Sequence, residues 1–405
     1  MSPAEEAAGG PIGPLAAENQ VGLARLRAEQ AGMYLEPGLS EPGLGEIESF
    51  RLAHDYLKSS QILKYAVPAA FGGEDVGLLA GPETVSVRAL AAMRQALAYR
   101  HAMADLALVE QGLGSFPIAL GSKDPELVEV LTKVGEGELI PALALTESGA
   151  GSDLAGVATD ATADGDDYVI YGTKTYITNV GVADFYTVLA RTSGEPGDRD
   201  GLTMFYVPHA SAHLSVRPFE VMAPHPIGEV IFNGVRIPKR YMLGPLGGGM
   251  DLALANLSRF RITVAAAANG FARRALGESI AHLTQRKQFG RPLSSFQGLR
   301  FDLAEMDTRI RAAELLTDEA ARAVDGGLDA TAEVARAKLF STENASWVCD
   351  RAVQHHGGLG VRVGSVVERL YRDTRALRIY EGTSEVQKLV LAKTVLKNTK
   401  LPSEA

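Results

Sequence analysis

Tyr168–Asn179, YVIYGTKTYITN, decides how this chain is divided. Its β-branched and aromatic residues alternate with others about Gly172, a period-two pattern that reads as a hairpin. Downstream, Phe185–Arg191, Leu202–Pro208 and Glu229–Pro238 are further short strand-like runs, separated by the turn-rich SGEPGDRDG and PHASAH. Residues 141–238 are therefore expected to form a β domain.

Working outward, helical periodicity dominates on both sides. Upstream it runs from about Ile47 to Glu138 and is clearest in Val85–Met103, where apolar residues recur every three or four positions. Val67–Gly73 (VPAAFGG) interrupts it with a proline and a glycine pair. Residues 1–45 are rich in Ala, Gly, Pro and Glu, and the first twenty or so read as a loose tail. Downstream of Gly249 four helices are expected, at about 250–286, 299–325, 331–355 and 365–397. The predicted architecture is a multidomain α+β chain: an N-terminal all-α domain at 1–140, a middle β domain of barrel or sandwich type at 141–238, and a C-terminal four-helix bundle at 239–405.

Composition narrows the function classes. Of 405 residues, 40 are Lys or Arg and 49 Asp or Glu, a net charge of −9. That balance gives no global pull toward nucleic acid or anionic lipid. A single cysteine, Cys349, excludes an intrachain disulfide and cysteine-rich metal clusters, and is the usage expected in the cytoplasm. The N-terminus lacks the basic and apolar regions of a secretory signal. The longest apolar run, ITVAAAANGFA, falls short of the roughly 20 residues of a membrane helix.

Five segments carry possible chemistry. Ala144–Gly156 (ALTESGAGSDLAG) is a glycine- and serine-rich turn with backbone donors, suited to a flat or anionic ligand or simply to a surface turn. Gly172–Asn179 ends in hydrogen-bonding groups beside the stacking face of Tyr176. Arg286–Gln297 (RKQFGRPLSSFQ) gathers cations and amides around a loop after a helix, as a pyrophosphate or a helix dipole would favour. Gln354–Gly360 (QHHGGLG) pairs two histidines but has no third ligand at helical spacing to make a metal site, so none is expected. In Tyr380–Gln387 (YEGTSEVQ), Gly382 breaks the helix and Thr383 or Ser384 can cap the next one. Glu381 then sits at a kink, where desolvation suits a carboxylate to act as general base. An ordinary solvated loop glutamate is the alternative.

In this order, VPAAFGG, LTESGAGSD, GTKTYITN, RKQFGRPLSSFQ, QHHGGLG and YRDTRALRIYEGTSEVQ together resemble the acyl-CoA dehydrogenase family of flavoproteins, from about Val67 to Lys393. The resemblance implies that family's helix–β–helix fold and one non-covalent FAD per subunit. Leu143, Leu145, Thr146, Gly151 and Ser152, with Tyr176, Ile177 and Thr178, would contact the flavin ring and ribityl chain; Tyr176 stands where many members carry Trp. Arg286, Gln288, Phe289, Phe296, Gln297, Gln354, His355, Gly357 and Gly358 would reach the pyrophosphate and adenosine from a neighbouring subunit. Thr383 and Glu385 would meet the phosphates of the subunit's own FAD. Such sharing implies a homo-oligomer, usually a tetramer.

The implied reaction is α,β-dehydrogenation of an acyl-CoA thioester in fatty acid metabolism, with Glu381 as base and hydride transfer to FAD N5. Ser152, Phe116, Ser258, Arg261, Tyr380 and Gly382 would line the substrate, and electron-transferring flavoprotein would accept the electrons. MAPHPIGEV (222–230) replaces the family's common Arg-x-Ser-x-Thr-Glu run, and SRFRITV carries no carboxylate where one branch places its base. An oxidase or carrier-protein-linked dehydrogenase of this fold, and a catalytically idle nucleic-acid-associated relative, are the competing readings.

Overall fold

The computed structural model describes residues 14–77 and 81–398. Five helices precede the first strand: α1 (Pro14–Leu39), α2 (Glu46–Ser59), α3 (Val87–Arg100), α4 (Ala102–Gly121) and α5 (Pro125–Gly135). Helix α1 begins at Pro14, so the expected loose tail is helical from there; its earlier part lies outside the described residues. Proline is tolerated in a first helical turn, and Ala24, Ala28, Ala31 and Leu35 bury one face of α1. The helical periodicity read over Val85–Met103 belongs to two helices, α3 and the start of α4. His101 takes an extended conformation (φ −158°), and its Nδ1 accepts from the Met103 amide at 3.2 Å, ending α3 and capping α4.

The middle strands are β1 (Pro141–Ala144), β2 (Asp160–Asp164), β3 (Asp167–Thr178), β4 (Phe185–Arg191), β5 (Leu202–Pro208), β6 (Leu214–Pro218), β7 (Ile227–Pro238) and β8 (Met242–Leu243). They form one sheet in the order β6-β7-β3-β2-β4-β5-β8, with β1 parallel to β4. Every residue of β4 is buried, which is why FYTVLAR reads as a run without polar alternation. The expected hairpin in YVIYGTKTYITN is instead one strand, β3, paired antiparallel with β2 on one side and β7 on the other. The turn lies earlier, at Gly165 (φ 61°). Gly172 (φ 149°) serves close approach: a Cβ there would sit 2.4 Å from Thr159 Oγ1.

The last region contains α6 (Gly249–Gln285), α7 (Gln297–Asp325), α8 (Thr331–His356), α9 (Val366–Arg375) and α10 (Ser384–Asn398). The fourth bundle helix expected at 365–397 is thus interrupted between α9 and α10. Helix α6 is the spine of the molecule. Its small residues Ala265–Ala268 are fully buried, and at Gly270 a Cβ would stand 2.3 Å from the Gln95 carbonyl oxygen of α3. Bare backbone here lets the N-terminal helices pack directly on the bundle. No helix among the described residues is long and apolar enough to cross a membrane.

Candidate active site

The interruption between α9 and α10 carries backbone strain. Glu381 adopts φ 52°, in the left-handed region that a residue with a Cβ enters only when its surroundings hold it there, and Gly382 follows at φ 89°. The restraints come from two helices. Arg261 of α6 donates through Nε to the Glu381 carbonyl at 2.7 Å. Lys338 of α8 donates through Nζ to the Gly382 carbonyl at 2.7 Å, and Gln387 Nε2 reaches the same oxygen at 3.0 Å. Of the two capping candidates, Thr383 caps α10, accepting from the Val386 amide at 3.2 Å, whereas Ser384 donates to Glu343 Oε1 at 2.6 Å.

The Glu381 carboxyl points inward, and its Oε2 is buried without a hydrogen-bond partner among the described residues. Burial raises its pKa above the ordinary carboxylate value, against the opposing pull of Arg94, Arg261 and Lys338. Beside it lies a charged cluster that sequence reasoning missed. Arg94 of α3, 2% exposed, makes a bidentate pair with Asp105 of α4, both contacts at 2.7 Å, and donates to Thr263 Oγ1 of α6 at 2.8 Å. Glu110, farther along α4, is 7% exposed and makes no hydrogen bond or ion pair among the described residues. Burial, then the charge of Glu381, pushes its carboxyl up to about 8. Burial likewise pushes the Lys338 ammonium down to about 8. Charges inside apolar helical runs such as DLALVEQGLG were the available signal.

Of the residues expected at the substrate, Phe116, Ser258, Arg261, Tyr380 and Gly382 belong to this region, while Ser152 lies in the glycine-rich turn. Phe116 is buried edge-on to Phe260 of α6, centroids 5.8 Å apart. Tyr380 adjoins Glu381 in the chain and is 41% exposed. Ser258 and Arg261 line a pocket of about 370 Å³ with Arg259, Asp329 and Thr331, where α6 faces the turn into α8.

The glycine-rich turn is anchored to β3. Lys174, fully buried, donates to the Leu145 carbonyl at 3.0 Å and to Glu147 Oε1 at 2.7 Å. Glu147 accepts from the Ala158 and Thr159 amides at 2.9 Å each, and the Thr175 amide donates to the Thr146 carbonyl at 2.9 Å. Leu143 lies in β1 and Ile177 is buried. Tyr176 is held at φ 56° and is 64% exposed, edge-on to Phe219, with Thr178 at the strand's end. Gly151 and Ser152 are exposed, and a Cβ on Gly149 or Gly151 would meet nothing within 4 Å. The result is an open backbone edge beside a strained, outward-facing aromatic ring.

The remaining expected residues gather elsewhere, at the far end of the bundle. Arg286, Gln288 and Phe289 form a tight turn after α6, with Phe289 91% exposed and 6.1 Å from the Phe296 ring; Gln297 opens α7. His282 of α6 stacks on His356 of α8 at 4.3 Å, and His355 Nε2 lies 3.2 Å from Asp302 Oδ2 of α7, so Gln354, Gly357 and Gly358 share that end. Along α6, Arg286 lies 25 residues beyond Arg261, about 37 Å at 1.5 Å per residue. Within one chain the two groups therefore stand apart. Thr383 and Glu385 belong with Glu381 at the kink. No cluster of three or more potential metal-ligating side chains occurs among the described residues.

Residues 142–235 match the acyl-CoA dehydrogenase middle-domain model and residues 247–396 the C-terminal-domain model. A 3-(aryl)acrylate reductase of Clostridium sporogenes is 41% identical over 284 residues, covering 69% of this chain and 75% of that one. The caffeyl-CoA reductase–Etf complex subunit CarC of Acetobacterium woodii is 37% identical over 292 residues, 70% of this chain and 76% of that one. The solved butyryl-CoA dehydrogenase of Megasphaera elsdenii superposes with a TM-score of 0.84 at 31% identity, covering 96% of this chain and all of that one. The chain belongs to the acyl-CoA dehydrogenase family.

Proposed function

We propose that this protein is an FAD-dependent dehydrogenase of an acyl-CoA thioester and that Glu381 is its base. The observation that carries the reading is the kink: a carboxylate in a strained conformation, tied through backbone carbonyls by Arg261 and Lys338, with a buried oxygen that has no hydrogen-bond partner among the described residues. The α-proton of a thioester is a weak acid, so the base must be both desolvated and fixed. Burial strengthens Glu381 as a base, while three cations nearby keep the anion accessible. Its backbone N–H donates to no acceptor among the described residues and is free to polarise a thioester carbonyl. The pocket beside Ser258 and Arg261 suits the CoA portion.

The open edge at Gly149–Ser152 and the exposed Tyr176 ring fit a flavin in shape and chemistry. Bound there, FAD would accept the hydride from the substrate β-carbon. Arg286, Gln288, Phe289, Phe296 and Gln297, with Gln354–Gly358, offer a cation, amides and bare backbone to a pyrophosphate and adenosine. Their distance from Glu381 within one chain supports contribution to a second subunit's cofactor, hence a homo-oligomer, with a tetramer as the arrangement this family favours. Electron-transferring flavoprotein is the proposed acceptor; the name of the CarC relative places that protein in an Etf complex.

Two relatives bear reductase names, which favours a second direction for the same chemistry: Glu381 would then return the proton to the α-carbon. Anaerobic titration of the FAD-loaded protein with short acyl-CoAs tests the function. Bleaching of the flavin spectrum is expected; a flavin that no acyl-CoA bleaches, and whose reduced form no enoyl-CoA reoxidises, refutes it.

A further inference from the structure

The kink that carries Glu381 has little apolar anchorage. Ile379 and Tyr380 are exposed, and Glu381, Gly382 and Thr383 are only partly buried as residues; the nearest buried neighbours in the chain are Leu377 before and Ser384 after. The strained conformation at Glu381, φ 52°, must therefore be held by polar ties. Arg261 and Lys338 supply two from inside the turn. A third tie comes from Glu343, five residues beyond Lys338 on α8.

Glu343 divides its carboxylate between the two flanks of the kink. Its Oε1 accepts from the Ser384 hydroxyl at 2.6 Å, three residues after Glu381. Its Oε2 lies 2.9 Å from Arg378 Nη2, three residues before Glu381. One planar group thus sets the separation of both ends of the segment. Its own base is firm, because Lys338, Thr342 and Ala345 around it on α8 are fully buried. Ser384, 2% exposed, needs the acceptor. The Arg378 and Glu343 side chains are each 36% exposed, where an ion pair adds little stability, so the consequence of this pair is geometric. With both oxygens engaged, Glu343 acts on the reaction through Glu381 and not as an acid or base itself.

We propose that Glu343 is a positioning residue for the reaction: by clasping Arg378 and Ser384 it holds the kink in the conformation that aims the Glu381 carboxyl at the substrate α-carbon. This rests on the acyl-CoA reading above and deepens it. A reacting group displaced by about 1 Å can lose roughly a hundredfold in rate while binding persists.

The test mixes FAD-loaded wild type, Glu343→Ala, Glu343→Gln and Arg378→Met anaerobically with the short acyl-CoA that bleaches the wild type fastest, and with the same thioester deuterated at the α-carbon. The limiting rate of bleaching reports the chemistry, and its concentration dependence gives the dissociation constant. Glu343→Ala frees both flanks and should slow the limiting rate about ten- to a hundredfold, with thioester and FAD dissociation constants within about twofold of wild type. Its deuterium effect should grow, because proton removal becomes the slower step. Glu343→Gln, which keeps one acceptor oxygen, and Arg378→Met, which frees one flank, should fall between. A wild-type rate and isotope effect in Glu343→Ala overturn the proposal. So does a loss of FAD or thioester affinity that matches the loss of rate, the mark of a merely structural role. If Glu343→Ala does not fold, Arg378→Met decides, and a wild-type rate and isotope effect there overturn the proposal. In these cases the acyl-CoA reading stands; a wild type that no acyl-CoA bleaches takes both down.

Discussion

Removing the Asp105 carboxylate would leave the Arg94 guanidinium, 2% exposed, with Thr263 as its remaining hydrogen-bond partner. Two charge-assisted contacts of 2.7 Å would vanish together. Taking one member from a buried ion pair costs about 3–5 kcal/mol, because the other charge stays desolvated. Asp105→Ala should lose stability of that order in urea denaturation. The double variant Arg94→Met/Asp105→Leu should recover most of it, since no unpaired charge then remains. The same substitution acts on catalysis. Arg94 lowers the Glu381 pKa and Asp105 raises it, so without Asp105 the local field turns positive and Glu381 ionises at lower pH. The acid limb of flavin reduction against pH should move downward in Asp105→Ala, and the maximal rate should fall as the base weakens. A loss below about 1 kcal/mol, together with an unmoved acid limb, would refute the view that this pair is desolvated and coupled to Glu381.

Arg286→Ala should weaken FAD retention about ten- to a hundredfold, the loss of one charge-assisted contact of roughly 1.5–3 kcal/mol; unchanged FAD affinity by equilibrium dialysis would remove Arg286 from the cofactor site. Glu110 bears on stability. Its folded-state pKa, about 8, lies above the ordinary 4.5, so the folded protein keeps a proton that the unfolded chain releases. Wild-type stability should therefore decline between those pH values by up to about 1.4 kcal/mol per unit from this group. Glu110→Gln should escape that term, its advantage growing from pH 5 to 8. Parallel stability curves for the two proteins over that range would contradict the burial of Glu110.

The division into helical, β and helical regions was legible because each region holds a different hydrophobic period over many residues. The errors lie where a single residue overrides the period. Gly172 looked like a turn because glycine in an alternating run usually is one, yet here it admits Thr159 against the strand. His101 sits in an apolar helical pattern and ends it through its own side chain. The kink at Glu381 was visible in Gly382 and Thr383, but the residues that strain it, Arg261 and Lys338, arrive from 120 and 44 positions away. Arg94, Asp105 and Glu110 escaped notice for the same reason. Their meaning lies in which faces of α3, α4 and α6 meet, and a local window of sequence carries no such information.

The central claim is that Glu381 removes the substrate α-proton. Glu381→Gln keeps the size of the side chain and a hydrogen-bonding terminus but cannot accept a proton. The most direct measurement is the anaerobic rate of flavin bleaching when the FAD-loaded variant is mixed with an acyl-CoA that bleaches the wild type. The account requires that the variant hold FAD and bind the thioester, yet bleach slower by roughly two to four orders of magnitude, as loss of a general base entails. Bleaching at near wild-type rate would contradict it, and would mean that another group takes the proton.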